Sequence, residues 1–333
     1  MKIFFFVFKH RFRQSALNNI LKRNKIKNNY ILNCSGPLRY FFFNKMFFLI
    51  NFFFKNNFCL ISCDGQPKLN HNGINLWFGG TSQKLEKLKI AGKNNCFIFD
   101  NFIKNEKNLI NFYPTKTIRK KFNKEFKIVF VGNISYINNK FTKKIWHSRK
   151  IEILNNFRII EQKSFWKIYR YKNNMNLLED YLNIRNILRY EVLSNLYNKF
   201  PDRVLLVGKS WNKFPNYMSE NFNKSFLKNI YGGNLCIDFG SKWGDNCLYP
   251  RSIEIIESGG FLLQSKQKNL KETFGEVAEK ISFNNLESLI TKINFIINDP
   301  DCMNKYSNYI HKRFKNENFN DRTLKKIFNI SKS

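Results

Sequence analysis

Short apolar runs alternate with helix-like segments along the first third of the chain. The runs have the length and the β-branched or aromatic content of strands, and they lie at residues 3–8, 30–34, 58–63 and 96–99. The segments between them that look helical lie at residues 15–24, 41–54 and 83–90. Strands that alternate with helices favour a parallel sheet covered by helices, so the pattern predicts an α/β fold.

The same alternation restarts at residue 127, after a polar and basic stretch at 115–125 that has no periodicity and is typical of a linker. The pattern predicts strands at 127–132 and 204–207 and helices at 186–200, 286–297, 301–314 and 321–330. Residues 160–178 fit either a strand or an insertion. We therefore predict two facing Rossmann-like open-sheet domains, at residues 1–120 and 121–314, and a closing helix within 315–333.

The most informative segment spans residues 234–264. An apolar run ends at Asp238, and a loop that contains Gly240 leads to Pro250, which suits the first turn of a helix. The pair Gly259-Gly260 suits the end of that helix, before a second apolar run at 261–263. The segment therefore predicts a strand, a glycine-broken loop, a short helix and a second strand.

The predicted helix carries Arg251, Glu254 and Ser258 at spacings of three and four residues, which places them on one face. A helix N-terminus and Arg251 can face phosphate groups, while Glu254 can accept hydrogen bonds from ribose hydroxyls. The combination predicts a nucleotide-diphosphate site. The alternative is a plain ion pair between Arg251 and Glu254 on a solvated helix, which would contribute only a few tenths of a kcal/mol.

The pattern P-R-x-x-E-x-x-x-x-G-G before an apolar strand resembles the nucleotide-sugar segment of GT-B glycosyltransferases, in the group 1 and spore-maturation-protein-like branch. Arg251, Glu254 and Gly259 match it, whereas Asn246 stands where the fuller family pattern has an earlier glutamate. The resemblance covers roughly residues 127–322. It implies a transferase of the hexosyltransferase type, which moves a sugar from a nucleotide-sugar donor to a glycan or lipid-linked glycan in cell-envelope polysaccharide synthesis. The low count of acidic residues and the lack of a D-x-D motif argue against a metal held by carboxylates, so we predict a metal-independent enzyme.

Three further positions in the second half are candidates for donor binding. Gly132 and Gly208-Lys209 each follow a predicted strand, and ligands bind at the carboxyl ends of strands in open parallel sheets. Asp238 also ends a strand and borders the expected sugar region, or it caps the loop that follows. Lys209 can contact phosphate or be simply solvated, and Trp211 can pack beside a nucleobase or on the domain surface.

A transferase that inverts the anomeric centre needs a general base for the acceptor hydroxyl. His10, Asp64 and Asp100 each follow a predicted strand of the first domain, and we take His10 and Asp64 as the catalytic candidates. Each could instead be an exposed histidine or a turn-forming aspartate. A retaining enzyme would need no such base.

Composition adds little evidence for a metal or a cofactor. The seven cysteines form no C-x-x-C pair, and with four histidines they offer no zinc-binding spacing, so we predict reduced thiols, no metal and no cofactor. The formal net charge of +33 accompanies 37 Phe and abundant Asn and Ile, a set typical of A/T-rich codons. The charge alone is therefore weak evidence for nucleic-acid binding, and no nucleic-acid-binding motif occurs.

The charge is nevertheless uneven, since residues 1–126 contain 23 Lys and Arg against 5 Asp and Glu. This region includes the Phe-rich run at 41–54, which is too short to span a bilayer. It is either a buried helix or a helix at a membrane surface. We predict a cytoplasmic protein with peripheral contact at the inner membrane face. The rival functions are a nucleotide-sugar epimerase of the same fold and a basic nucleic-acid-binding protein.

Overall fold

The computed structural model describes residues 3–6, 29–31, 58–63, 74–78, 96–99, 109–110, 114, 117–134, 139–169, 174–219, 224–240, 248, 250–267 and 269–316. The chain divides into two compact units. The first comprises Met1–Thr115, Trp243–Pro250 and Phe314–Ser333, and the second comprises Lys116–Lys242 and Arg251–Arg313.

The described part of the first unit is a six-stranded parallel sheet. Its strands are β1 (Ile3–Phe6), β2 (Asn29–Ile31), β3 (Phe58–Cys63), β4 (Ile74–Phe78), β5 (Cys96–Phe99) and β6 (Leu109–Ile110). They are ordered β2-β1-β3-β4-β5-β6, so the order reverses between β1 and β3. The four predicted strands are confirmed, while β4 and β6 were missed. The helices predicted at 15–24, 41–54 and 83–90 lie outside the described residues.

The second unit contains another six-stranded parallel sheet. Its strands are β7 (Ile128–Val131), β8 (Val204–Val207), β9 (Tyr217–Met218), β10 (Leu235–Asp238), β11 (Phe261–Ser265) and β12 (Ser282–Phe283). The main described helices are α1 (Lys140–Asn155), α2 (Lys163–Trp166), α3 (Asn174–Lys199), α4 (Lys224–Tyr231), α5 (Pro250–Glu257), α6 (Leu270–Phe274), α7 (Leu286–Asn298) and α8 (Asp301–Asn316). Both sheets are parallel, which confirms the predicted α/β, Rossmann-like class.

The order of the second sheet, β9-β8-β7-β10-β11-β12, is that of a doubly wound dinucleotide-binding fold. Every residue of β7, β10 and β11 is buried, as expected for central strands with helices on both faces. The strand order reverses between β7 and β10. Ligands bind outside the carboxyl ends of the strands at such a point, so the topology directs attention to the residues that follow β7 and β10.

The ambiguous stretch at 160–178 is helical where it is described. It contains the end of a short 3-10 helix at Ile159–Glu161, then α2 and the first turns of α3. The helix predicted at 186–200 is the second half of α3, and α1 was missed. The predicted helix at 301–314 is confirmed as α8, while the closing helix at 321–330 lies outside the described residues.

The stretch predicted as a linker, at 115–125, belongs to the second unit from Lys116 onward. Its described side chains are exposed or half-buried except that of Phe122, which is buried and whose ring meets the Phe261 ring edge to face at 6.1 Å. The Phe122 N–H donates to Asn304 Oδ1 at 3.1 Å. Phe122 therefore anchors this basic segment on β11 and on α8.

Candidate functional site

Asp238, the last residue of β10, is the buried centre of the polar cluster at the sheet reversal. Its side chain is fully buried and accepts hydrogen bonds from Ser252 Oγ at 2.6 Å and from the Gly240 N–H at 3.1 Å. Arg251 Nη1 lies 3.5 Å from the same carboxylate. A buried carboxylate is tolerated only when it is paired and hydrogen-bonded. Asp238 therefore fixes the first turn of α5 against the carboxyl end of β10.

Arg251 lies in that first turn, with 20% of its side chain exposed. Its guanidinium carbon is 5.4 Å from the centroid of the Phe130 ring, within the range of a cation–π contact. Gly132 borders the same space, because a Cβ there would lie 3.2 Å from Arg251 Nη2 and 3.1 Å from the Phe130 ring. The absence of a side chain at residue 132 thus leaves room for the guanidinium at the end of β7.

Glu254 follows three residues later on α5 and is half-buried. Burial raises the pKa of the neighbouring Tyr231 hydroxyl well above its usual range, while the positive charge of Arg251 acts to lower that pKa and the negative charge of Glu254 acts to raise it. The tyrosine therefore lies within electrostatic reach of both charges. Arg251 and Glu254 form one polar face of α5, beside the sheet reversal.

Removal of the Asp238 carboxylate should destabilise the fold. We expect Asp238→Ala to lower the free energy of unfolding by about 3 kcal/mol, because it leaves the Ser252 hydroxyl and the Gly240 N–H without their acceptor. Chemical denaturation measures the loss. The matched control is Asp202→Ala, which removes an exposed aspartate from the same unit. Equal stability of the two variants would contradict a role for Asp238 in fixing the site.

The loops after β7 and β8 are fixed against each other. Gly208 has φ +135°, and a Cβ there would lie 2.5 Å from the Gly132 carbonyl oxygen, so only glycine fits without a backbone shift. Asn133 Oδ1 accepts a hydrogen bond from the Lys209 N–H at 2.8 Å. The Lys209 side chain is exposed. The structure therefore brings Gly132 and the backbone of Lys209 together at the carboxyl edge of the sheet.

Trp211 does not offer a face to a nucleobase, which corrects one alternative drawn from the sequence. Its side chain is fully buried and stacks on Tyr190, with ring centroids 6.3 Å apart and planes 6° apart. The indole Nε1–H donates to the Gly132 carbonyl at 2.7 Å. Trp211 anchors the loop after β8 to the loop after β7.

Ser258 and Gly259 lie at the other end of α5. The Ser258 N–H bonds to the Glu254 carbonyl at 3.0 Å, and Gly259 ends the helix with φ +79°. A Cβ on Gly259 would lie 2.9 Å from the Ile118 carbonyl oxygen. An eight-residue helix is about 12 Å long, so these residues do not meet Arg251 at the carboxyl edge of the sheet. Their structural role is to end α5 and to let the basic segment pass close by.

Arg185 on α3 also contributes to the site and was missed in the sequence. It is buried, and its Nη2 donates to the Phe239 carbonyl at 2.9 Å, directly after β10. Its Nη1 donates to Glu161 Oε1 at 3.2 Å and to the Tyr181 hydroxyl at 3.0 Å. Burial alone would lower the pKa of Arg185, but Tyr181 and Glu161 outweigh it and raise the pKa, so the guanidinium stays charged. Arg185 therefore holds the loop that follows Asp238.

Gln267, two residues after β11, packs on the same loop. It is buried, and a Cβ on Gly240 would lie 2.5 Å from its Nε2. The loop after β10 is thus held by Asp238 itself, by Arg185 and by Gln267. Arg185 and Gln267 lie 54 and 27 positions from the loop residues they contact, which explains why the motif alone did not reveal them.

Several expected residues lie outside the described part of the chain, namely His10, Asp64, Asp100 and Asn246. Among the residues that the structure does describe, no group of three His, Cys, Asp or Glu side chains could hold a metal ion. Cys236 and Cys302 are free, buried thiols, as predicted for them. Burial raises the pKa of the Cys236 thiol well above its usual value.

No family model matches the chain, and no curated protein matches its sequence. Structures of the β-glucosyltransferase of phage T4 can be superposed on it. The complex with its substrate UDP-glucose gives a TM-score of 0.47 at 10% identity, over 100% of this chain and 98% of that chain. The complex with UDP and Mn²⁺ gives 0.46 at 10% identity and the same coverage. Superpositions this loose, at such low identity, assign no residue of this chain a role.

Proposed function

We propose that the protein is a glycosyltransferase that holds a nucleotide-sugar donor on its second unit. The observation that carries the proposal is the arrangement at the strand reversal, where Gly132 leaves room for the Arg251 guanidinium and Glu254 follows one turn later on α5. A cation and a carboxylate at this edge of a parallel sheet suit a nucleoside diphosphate. A solvated ion pair would need neither the buried Asp238 anchor nor the glycine.

Different side chains bind different parts of the donor. Arg251 and the N-terminal turn of α5 face the diphosphate, because both supply positive charge and N–H donors. Glu254, one turn further along, accepts hydrogen bonds from the ribose hydroxyls. Lys209 reaches the phosphates from the neighbouring loop.

In the reaction the acceptor oxygen forms a bond to the anomeric carbon, while the bond from that carbon to the diphosphate oxygen breaks. The electron pair of the broken bond stays on the departing nucleoside diphosphate, so negative charge grows there in the transition state. Arg251 and Lys209 stabilise that charge, and the acceptor hydroxyl gives its proton to a base.

The proposed bases lie in the first unit. His10 and Asp64 follow β1 and β3 in sequence, the two strands between which the order of the first sheet reverses. Ligands favour such a reversal in an open parallel sheet, which supports the choice of these residues over others in the unit. The proposal assigns them to an inverting mechanism with a glycan or lipid-linked glycan as acceptor.

The test is calorimetric titration of the full chain with a panel of nucleotide sugars that begins with UDP-glucose. We expect at least one donor to bind and to be converted to its nucleoside diphosphate when an acceptor is present. Failure of every donor to bind a folded protein would overturn the proposal. Because Arg251 and Lys209 supply the positive charge, donor turnover should persist in a chelator, and its loss would show that a divalent cation holds the phosphates instead.

A peripheral attachment to membranes is proposed from the charge of residues 1–126 and the Phe-rich run at 41–54, which lies outside the described residues. None of the described helices is long and apolar enough to cross a membrane. Near an anionic leaflet each basic residue contributes about 1 kcal/mol, so a small cluster suffices for reversible binding.

Flotation with vesicles tests the attachment. We expect the protein to float with anionic vesicles at low salt, to be released by high salt, and to bind neutral vesicles poorly. Recovery in the unbound fraction with anionic vesicles at low salt would contradict the attachment and leave the donor site unaffected.

A further inference from the structure

A groove of about 670 Å³ lies within the second unit, beyond Lys209. Its walls come from α1, α3 and the segment 209–219. This volume is within the usual range for small-molecule sites. Of the donor-site residues, only Lys209 borders the groove, so the groove is a separate feature at the same edge of the sheet.

The described lining of the groove is strongly basic. Lys143 and Lys150 come from α1, and Lys209 and Lys213 come from the loop after β8. Glu191 is the only carboxylate among the lining residues, and Lys150 Nζ binds it at 2.8 Å. The remaining positive charge is complementary to an anionic ligand.

Part of the groove lining is apolar. Ile134 and Trp146 are buried there, and Ile187 and Tyr190 are half-buried. One face of the Tyr190 ring is covered by Trp211. The exposed rings of His147 and Tyr217 also line the groove, so stacking of a single strand of nucleic acid is the alternative that the comparison ligand tests. Four apolar side chains beside four lysines suit a ligand with an anionic head and an apolar tail.

The loop that carries Lys209 is linked to the donor site by contacts of two glycines. Gly208 lies against the Gly132 carbonyl, and Gly132 borders the Arg251 guanidinium. A phosphate held by Lys143 and Lys213, in the same lining as Lys209, would thus lie near the leaving diphosphate. We propose that the groove binds the apolar diphosphate part of a lipid-linked glycan, and that a hydroxyl of the glycan is the acceptor of the reaction. Its role as acceptor site rests on the proposed function.

The experiment is calorimetric titration of the full chain with farnesyl diphosphate, with inorganic diphosphate and an oligothymidylate as comparison ligands. We expect farnesyl diphosphate to bind, and the double variant Lys143→Ala, Lys213→Ala to bind it about tenfold more weakly. Lys144→Ala is the matched control, since Lys144 is an exposed neighbour on α1 that does not line the groove. Its affinity should be unchanged. Ile187→Ser should weaken binding of farnesyl diphosphate and leave that of inorganic diphosphate as it was.

Inorganic diphosphate that binds as tightly as farnesyl diphosphate would overturn the apolar part of the inference. If the oligothymidylate binds more tightly than farnesyl diphosphate and depends on the same two lysines, the ligand of the groove is a nucleic acid and not a lipid. Glu254→Ala separates this inference from the proposed function, because it should lose the nucleotide sugar and keep farnesyl diphosphate. If the protein binds a nucleotide sugar but not farnesyl diphosphate, the groove inference is wrong and the proposed function stands. If it binds farnesyl diphosphate but no nucleotide sugar, the groove is not an acceptor site.

Discussion

Arg251→Ala should lower kcat by about 100-fold to 1000-fold, with a much smaller loss of donor affinity. The guanidinium faces the diphosphate, and its charge matters most when the sugar leaves and negative charge grows on the phosphate oxygens. Steady-state kinetics together with calorimetric donor affinity separate the two effects. Arg251→Lys should recover part of kcat, because it restores the charge and not the planar donor geometry.

Arg203→Ala is the matched control for this variant. The Arg203 guanidinium carbon lies 5.3 Å from the centroid of the Phe126 ring, an arrangement like that of Arg251 over Phe130. Arg203, however, directly precedes β8 and is therefore at the amino edge of the sheet. Equal losses of kcat in the two variants would show that Arg251 acts through general stability and not through the leaving group.

Glu254→Ala should remove most of the affinity for the nucleotide sugar. Each charged hydrogen bond from a ribose hydroxyl contributes about 1.5–3 kcal/mol, so the dissociation constant should rise by at least about tenfold. Calorimetry measures the affinity, and thermal unfolding verifies that the variant is folded. Glu254 is only half-buried, so its replacement should cost little stability.

Two further variants test whether the lost affinity comes from the Glu254 carboxylate. Glu257→Ala removes a carboxylate from the same helix one turn later and should leave donor affinity intact. Glu254→Gln keeps the shape of the side chain and loses its charge, so its affinity for the donor should lie between that of the original protein and that of Glu254→Ala. An unchanged dissociation constant in folded Glu254→Ala would rule out the contact with ribose.

Long-range contacts explain what the sequence did not show at the site. Arg185 bonds to the Phe239 carbonyl 54 positions away, and Trp211 bonds to the Gly132 carbonyl 79 positions away. One signal for Arg185 was present, because helical spacing places Arg185 on the same face of α3 as Val192 and Leu196, both apolar and buried. A charged residue on such a face must find a buried partner, but the pattern does not identify that partner.

The sequence by itself determined the features that depend on local chemistry. The apolar runs specified β3, β5, β8 and β10, and Pro250 and Gly259 set the two ends of α5, since proline and glycine act on their own backbone. Parallel strands were expected because strands and helices alternate. Arg251 and Glu254 were placed on one face by helical spacing alone.

Only the tertiary structure decided which strand ends meet. The order β7-β10 at the reversal brings Gly132 to Arg251, and the burial of Phe122 packs the predicted linker onto the second unit. The role of Trp211 as an anchor between two loops was also decided by the tertiary structure. Strand pairing and burial depend on contacts between segments that are distant in the sequence. Periodicity reports which side of an element is apolar, whereas the neighbour that covers that side is chosen by the packing of the whole unit.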